Sequence, residues 1–153
     1  MKSSKLSLYL LIFLLGFLAV GAFYGGIALI ISPDGSIFKM PVDILSNSPF
    51  SNFLIPGIVL LLVFGVLPVF VIFSMLLKPK TSLPEKLNLL NDHHFSWTFS
   101  VYIGIAQIIW IDIQTFFINA VDLIHLLYSG IGIAIVCIAL LPATRKQFIK
   151  TQK

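Results

Sequence analysis

Residues 97–141 read WTFSVYIGIAQIIWIDIQTFFINAVDLIHLLYSGIGIAIVCIALL, and this stretch decides the fold. Two apolar runs, Trp97 to about Ile118 and about Val121 to Leu141, stand on either side of Asn119-Ala120. At 1.5 Å per residue each run is long enough to cross the roughly 30 Å hydrocarbon core of a bilayer. So little chain separates them that they must double back as an antiparallel helical hairpin. Trp97 sits where an interfacial aromatic belongs, and Ser96 before it is a plausible N-cap.

Working outward from this hairpin, the same pattern recurs twice. Leu6 to Ile31 follows Lys2 and Lys5, and a run from about Phe53 to Leu77 ends against Lys78 and Lys80. The first run has small residues at Val20 and Ala22, as a cleaved signal peptide would. Its length of about 26 residues is too great for a signal core, so an uncleaved span is expected. Four spans, about 6–31, 53–77, 97–118 and 121–141, leave no chain for a separate soluble domain. The expected architecture is a single-domain, all-α, four-transmembrane-helix bundle.

Composition agrees. Apolar residues make up 58% of the 153 and charged residues 10%, against roughly 25% charged in a soluble domain. The formal charge of +4 does not indicate nucleic acid, because the basic residues flank apolar runs instead of forming an aromatic-interleaved patch. With the N-terminus inside, Lys2, Lys5, Lys78, Lys80, Lys86, Arg145, Lys146, Lys150 and Lys153 are cytoplasmic and only Lys39 is outside. That distribution predicts a multi-pass protein of the cytoplasmic membrane with both termini in the cytoplasm. The single cysteine, Cys137, makes no intramolecular disulfide and no CxxC pair, which excludes thiol redox chemistry of the vitamin K epoxide reductase kind.

The two longer loops differ. The outer one, 32–52, has a turn signature at Pro33-Asp34-Gly35 and prolines at 41 and 49, yet carries Ile37, Phe38, Val42, Ile44, Leu45 and Phe50. It is too apolar to float free and is expected to fold back, ordered, over the outer mouth of the bundle. The inner loop, 78–96, offers Pro84-Glu85-Lys86-Leu87 as a short helix with Pro84 in first position. Its His93-His94 pair lacks the Cys or Glu partners of a metal site and reads as solvated. Within the spans, Gly21-x-x-x-Gly25 and Ala22-x-x-x-Gly26 invite close packing inside the bundle, or a homodimer contact. Pro68 removes a helical hydrogen bond and should kink or loosen the second span.

Polar residues concentrate on the hairpin: Gln107, Asp112, Gln114, Thr115, Asn119, Asp122 and His125. Such residues are costly in a span and usually face a bundle interior or a wet cavity. Helical spacing separates Gly104, Gln107, Ile111, Gln114 and Ile118 from a second stripe of Asp112, Thr115 and Asn119. Asp112 lies about 9 Å inward from the connection and His125 about as far on the returning helix, which puts them at one height with Thr115 and Asp122 a turn above. The pair can bind a polar head group or carry a proton, or the two can simply satisfy one another. Asn119 can cap the fourth helix, with Asp122 in its first turn. Candidate binding residues are Asp112, His125, Gln114, Thr115 and Asp122, with Asp34 and Lys39 from the outer loop.

Gly25-Gly26-Ile27-Ala28-Leu29-Ile30, Pro33-Asp34-Gly35-Ser36, Met40-Pro41, Ser48-Pro49-Phe50, Phe53-Leu54-Ile55-Pro56-Gly57 and Trp110-Ile111-Asp112-Ile113-Gln114 together resemble a group of small bacterial four-helix membrane proteins without an assigned activity. The resemblance covers about residues 20–135 and implies location and architecture but no chemistry. Signal peptidase II has similar size and span number, but its Asn-x-x-Asp-Arg signature is missing, and no arginine precedes Arg145.

The sequence lacks a nucleophile triad, a metal set and a glycine-rich phosphate loop, so no cofactor or metal is expected. The leading expectation is a non-enzymatic protein with an outward polar pocket that binds a membrane lipid, a peptide, a partner protein or a second copy. The alternative is a small oligomeric proton-coupled carrier using Asp112 and His125. An enzyme acting on a lipid comes third.

Overall fold

The computed structural model describes residues 2–79 and 81–150, with side chains from Lys5 onward. Of the basic residues counted above, Lys80, Lys153 and the side chain of Lys2 lie outside these bounds. Four helices are long and apolar enough to cross a membrane. They are a first span at Lys2–Ile31, a second at Leu54–Leu77, a third at Phe95–Ile118 and a fourth at Leu123–Leu140. No strand occurs among the described residues, only an isolated bridge between His93 and Ile149.

The first span shows why lipid is the natural surround. Leu6, Tyr9, Phe13, Phe17, Val20, Tyr24, Ile27 and Ile31 recur every three or four residues and are all exposed. Leu11, Leu15, Leu18 and Ala22 form the opposite stripe and are buried against the other spans. An apolar stripe of that length is untenable in water and unremarkable against acyl chains.

Small residues set the closest approaches, as packing between membrane helices favours. A Cβ on Gly26 would stand 2.9 Å from the Gly57 carbonyl oxygen, so the first and second spans touch backbone to backbone there. Gly25 faces Leu60 and Gly21 faces the Tyr128 hydroxyl, which puts these first-span glycines inside the bundle. The hairpin crosses at a pair that the sequence reading did not single out. A Cβ on Gly104 would lie 2.9 Å from the Gly132 carbonyl, and one on Gly132 equally close to that of Gly104.

Pro68 does leave a mark on the second span, just upstream of itself. Residues Leu60–Val66 wind as a π-helix, with the Leu67 N–H reaching the Leu62 carbonyl, and α-helix resumes at Leu67. The missing proline N–H makes the wider winding cheap at this point. Below it, the second span packs on the third. Above it, residues 54–59 pack on the first span, and the turn Val42–Leu45 lies against the third. The bundle is thus closed at the end carrying both termini and splayed at the end carrying the 32–53 loop.

That loop is built from two 3-10 turns, Ser36–Phe38 and Val42–Leu45. Gly35 supplies the left-handed conformation (φ 76°) that the turn after Asp34 needs. Leu45 and Phe53 bury against Leu29, with Phe38, Met40, Val42, Ile44 and Phe50 packed around them.

At the terminal end, several local expectations need correction. The short helix is Ser82–Lys86, so Pro84 is its third residue and not its first. The third span starts at Phe95 with His94 as N-cap, its Nδ1 accepting from the Ser96 N–H. Ser96 is therefore inside the helix. His93 is not solvated: it is 2% exposed, its ring centroid 4.5 Å from that of Trp97, and its Nε2 accepts from Arg145 Nε at 3.0 Å. Residues 148–150 fold back over it, with His94 N–H donating to Phe148 O and Lys150 N–H to Asp92 O.

Candidate functional site

The splay leaves a cavity of about 410 Å³ at the loop end. Leu18, Gly21, Gly25 and Leu29 of the first span, Leu60 of the π-helical segment, and Ile124 and Tyr128 of the fourth span wall it. Phe38 and Met40 close it from the loop side, Phe38 edge-on to the Tyr24 ring. The third span contributes Gln107, Trp110, Ile111 and Gln114. The lining is mainly apolar with a few polar groups, the usual make-up of a small-molecule site.

Two of those polar groups lack what buried polar groups normally have. Gln107 is 1% exposed, and its Oε1 has no hydrogen-bond partner. The Trp110 Nε1 is likewise buried and unpartnered, its ring 6.0 Å from that of Phe64 in the π-helical segment. Leaving such groups unmet costs about 1–3 kcal/mol each. Turning the Gln107 amide over would bury the other terminal atom instead, so the deficit does not depend on that assignment.

His125 is buried in the same wall and already half engaged. Its Nδ1 accepts from the Asp122 N–H at 3.0 Å, so the ring proton of the neutral form stands on Nε2. Asp122 is the N-cap of the fourth span. Asn119, expected in that role, instead ends the third span in a left-handed conformation (φ 52°), which asparagine tolerates.

The expected pairing of Asp112 with His125 does not form. Asp112 is exposed, and neither a hydrogen bond nor an ion pair reaches its carboxylate. It stands on a stripe with Ile105, Ile109 and Phe116, all exposed. At 100° per residue, Asp112 points about 160° away from Gln114, so one helix cannot aim both inward. Chain length could not say which stripe of the third span faces inward.

The other candidates divide as follows. Gln114 is half-buried and lines the cavity. Thr115 is half-buried, its hydroxyl donating to the Asp112 carbonyl at 3.0 Å. Lys39 is exposed and outside the cavity wall. Asp34 is exposed and engaged within its own turn. The Ser32 hydroxyl, then the Ser36 N–H and hydroxyl, donate to it and hold its carboxyl below the usual value. Gln107 and Trp110 were the residues missed as site members. The available signal was the stripe Gly104, Gln107, Ile111, Gln114, which carries the glycine of a close crossing.

A second cavity, about 320 Å³, lies at the terminal end between Asp92, His93, Leu140, Arg145 and Ile149. His93 Nδ1 is 2.7 Å from Asp92 Oδ1 but makes no hydrogen bond, and Arg145 lies over the Trp97 ring. Among the described residues no group of three or more His, Cys, Asp or Glu is placed to hold a metal ion. No protein-family model, curated protein or solved structure matches the chain.

Proposed function

We propose that this is a non-enzymatic protein of the cytoplasmic membrane, both termini in the cytoplasm, that holds an amphiphilic molecule in the loop-end cavity on the outer side. The orientation rests on the basic residues, gathered at the terminal end with Lys39 alone at the other. The binding reading rests on one observation above all. A cavity of about 410 Å³ is walled almost wholly by apolar side chains, with Gln107, Gln114 and His125 as polar residues among them. That mixture suits a molecule with an apolar body and one polar end. The carrier alternative drew on an Asp112–His125 pair, and the exposed position of Asp112 withdraws its support.

The test uses the full chain extracted from its membrane. Native mass spectrometry should find an amphiphile retained through mild detergent. Gln114→Phe should fill the cavity and release that amphiphile while leaving the melting temperature nearly unchanged. A wild-type chain that retains none, and binds none on titration with a membrane lipid extract, would sink the proposal.

A further inference from the structure

The cavity at the terminal end takes no part in the binding reading above. We propose that it is an interfacial site for the phosphate group of an anionic membrane lipid, with Arg145 as the principal ligand and Lys146 beside it. The site is separate from the loop-end cavity and stands independently of it.

Arg145 is held in place before any ligand arrives. Its Nε donates to His93 Nε2 at 3.0 Å, and its guanidinium carbon lies 5.6 Å from the Trp97 ring centroid. Those contacts set the plane of the guanidinium but use only one of its five N–H donors. Among the described residues, neither terminal nitrogen makes a hydrogen bond, and Nη2 stands 3.9 Å from Asp92 Oδ2, beyond hydrogen-bond reach. The side chain is 52% exposed, so a ligand can reach the unused edge. An oriented fork with donors to spare suits a phosphate, which accepts on two oxygens at once.

The other cations of this end differ in what they have left. Lys146 lines the same cavity, and among the described residues no hydrogen bond or ion pair engages its ammonium. Lys78 Nζ already donates to the Gln147 carbonyl and Lys150 Nζ to Glu85 Oε2.

Leu140, Pro142 and Ile149 form the apolar side of the wall. Leu140 is the last residue of the fourth span, and both it and Ile149 are exposed. The cavity thus stands where hydrocarbon gives way to water. A headgroup can enter it while the acyl chains stay in the bilayer along Leu140, and basic pockets at span ends are common seats for such headgroups. Asp92 opposes an anion, because it lines the same wall. Its contact with Arg145 is exposed and lacks a hydrogen bond, and such pairs are weak. Two charge-assisted hydrogen bonds to a phosphate are stronger.

The experiment titrates the full chain in mild detergent with phosphatidylglycerol and, separately, with phosphatidylcholine of the same acyl chains, and reads occupancy by native mass spectrometry. Phosphatidylglycerol should bind about tenfold more tightly. Arg145→Gln should lower that affinity about tenfold. Lys86→Gln removes a cation of the same end outside the cavity wall and should change it by less than about twofold. Asp92→Asn removes the opposing charge from an exposed side chain and should raise it about threefold. Gln114→Phe, at the loop end, should leave it unchanged. The two-lipid comparison and Asp92→Asn decide the matter even if Arg145→Gln fails to fold. Equal affinity for the two lipids, a Lys86→Gln loss as large as that of Arg145→Gln, or weaker binding in Asp92→Asn would each overturn the site. Loss of phosphatidylglycerol in Gln114→Phe would move the lipid to the loop-end cavity and overturn this site alone. Displacement of the lipid by millimolar inorganic phosphate at constant ionic strength would assign the donors to free phosphate and overturn the lipid.

Discussion

The two ends of this bundle differ in how far their buried polar groups tie separate chain segments together. At the terminal end, Asn88 is 3% exposed and answered on every side. Its amide donates to the His93 carbonyl and Glu85 Oε2, and its oxygen accepts from the Thr98 hydroxyl and Leu90 N–H. Trp97 Nε1 donates to the Ala139 carbonyl, and Lys150 Nζ to Glu85 Oε2. Among the described residues there, the Thr81 and Thr144 hydroxyls and His93 Nδ1 are buried without a hydrogen bond, the last 2.7 Å from Asp92 Oδ1. At the loop end an indole N–H and an amide oxygen, the same group types, are left bare beside a cavity. The terminal end joins three chain segments through such bonds, whereas the buried polar atoms of the loop end make none across the bundle. Buried polar groups left unmet are where a binding role should be sought.

The contrast can be broken most forcefully at Asn88. Asn88→Leu should destabilise the chain by about 2–4 kcal/mol, since several buried partners lose their bonds at once. Unfolding in mixed micelles would measure it, and a loss under about 0.5 kcal/mol would mean that the network is ornamental.

Acid should separate the ends next. At Glu85, partial burial pushes the carboxyl up, but hydrogen bonds from Lys150, Asn88 and the Phe95 N–H outweigh it, and the net shift is below 4.5. Asp92 is held below 3.8, chiefly by the His93 ring nitrogen beside it. Carboxyls lowered in the folded state contribute stability that is present above those unfolded values and lost as pH falls through the lower folded ones. Protection factors of amides 88–94 and 146–150, corrected for the intrinsic exchange rate, should therefore fall as pH drops from about 4.5 downward. Occupancy of the cavity, which no carboxylate lines, should stay level across the same window. Parallel loss of both would show the two ends to be coupled.

The smallest effect is expected at Asp112. Asp112→Leu should leave monomer stability within about 0.5 kcal/mol of wild type, or raise it, because the carboxylate has no partner to lose. A loss above about 1 kcal/mol in the same micelle assay would show that this carboxylate is engaged.

Much of the fold was legible because membrane spans obey length and charge rules that need no tertiary information. The four spans, the hairpin and the turn at Gly35 all follow from such local signals. Facing does not. Periodicity sorted the third span into two stripes correctly, but nothing in one helix says which stripe meets its neighbours. The ionisable Asp112 drew the reading to the wrong one, whereas Gly104 marked the right one through its crossing with Gly132. His93 was misread for a related reason. Asp92-His93-His94 looks hydrophilic, and its burial depends on Arg145, fifty-two residues further along. The π-helical stretch at 60–66 likewise has no signature beyond the nearby proline.

The pairing of Ile149 with His93 also sets an order of events during synthesis. Residues 145–150 leave the ribosome only after all four spans, and translation at about 5–20 residues per second separates them from the 85–94 loop by several seconds. Until they arrive, the His93 ring has no Arg145 to bond, and Glu85 has no Lys150. That loop must wait, wet and open on one face of the membrane, while the spans above it are already packing. The tail is thus the latch that shuts the finished bundle.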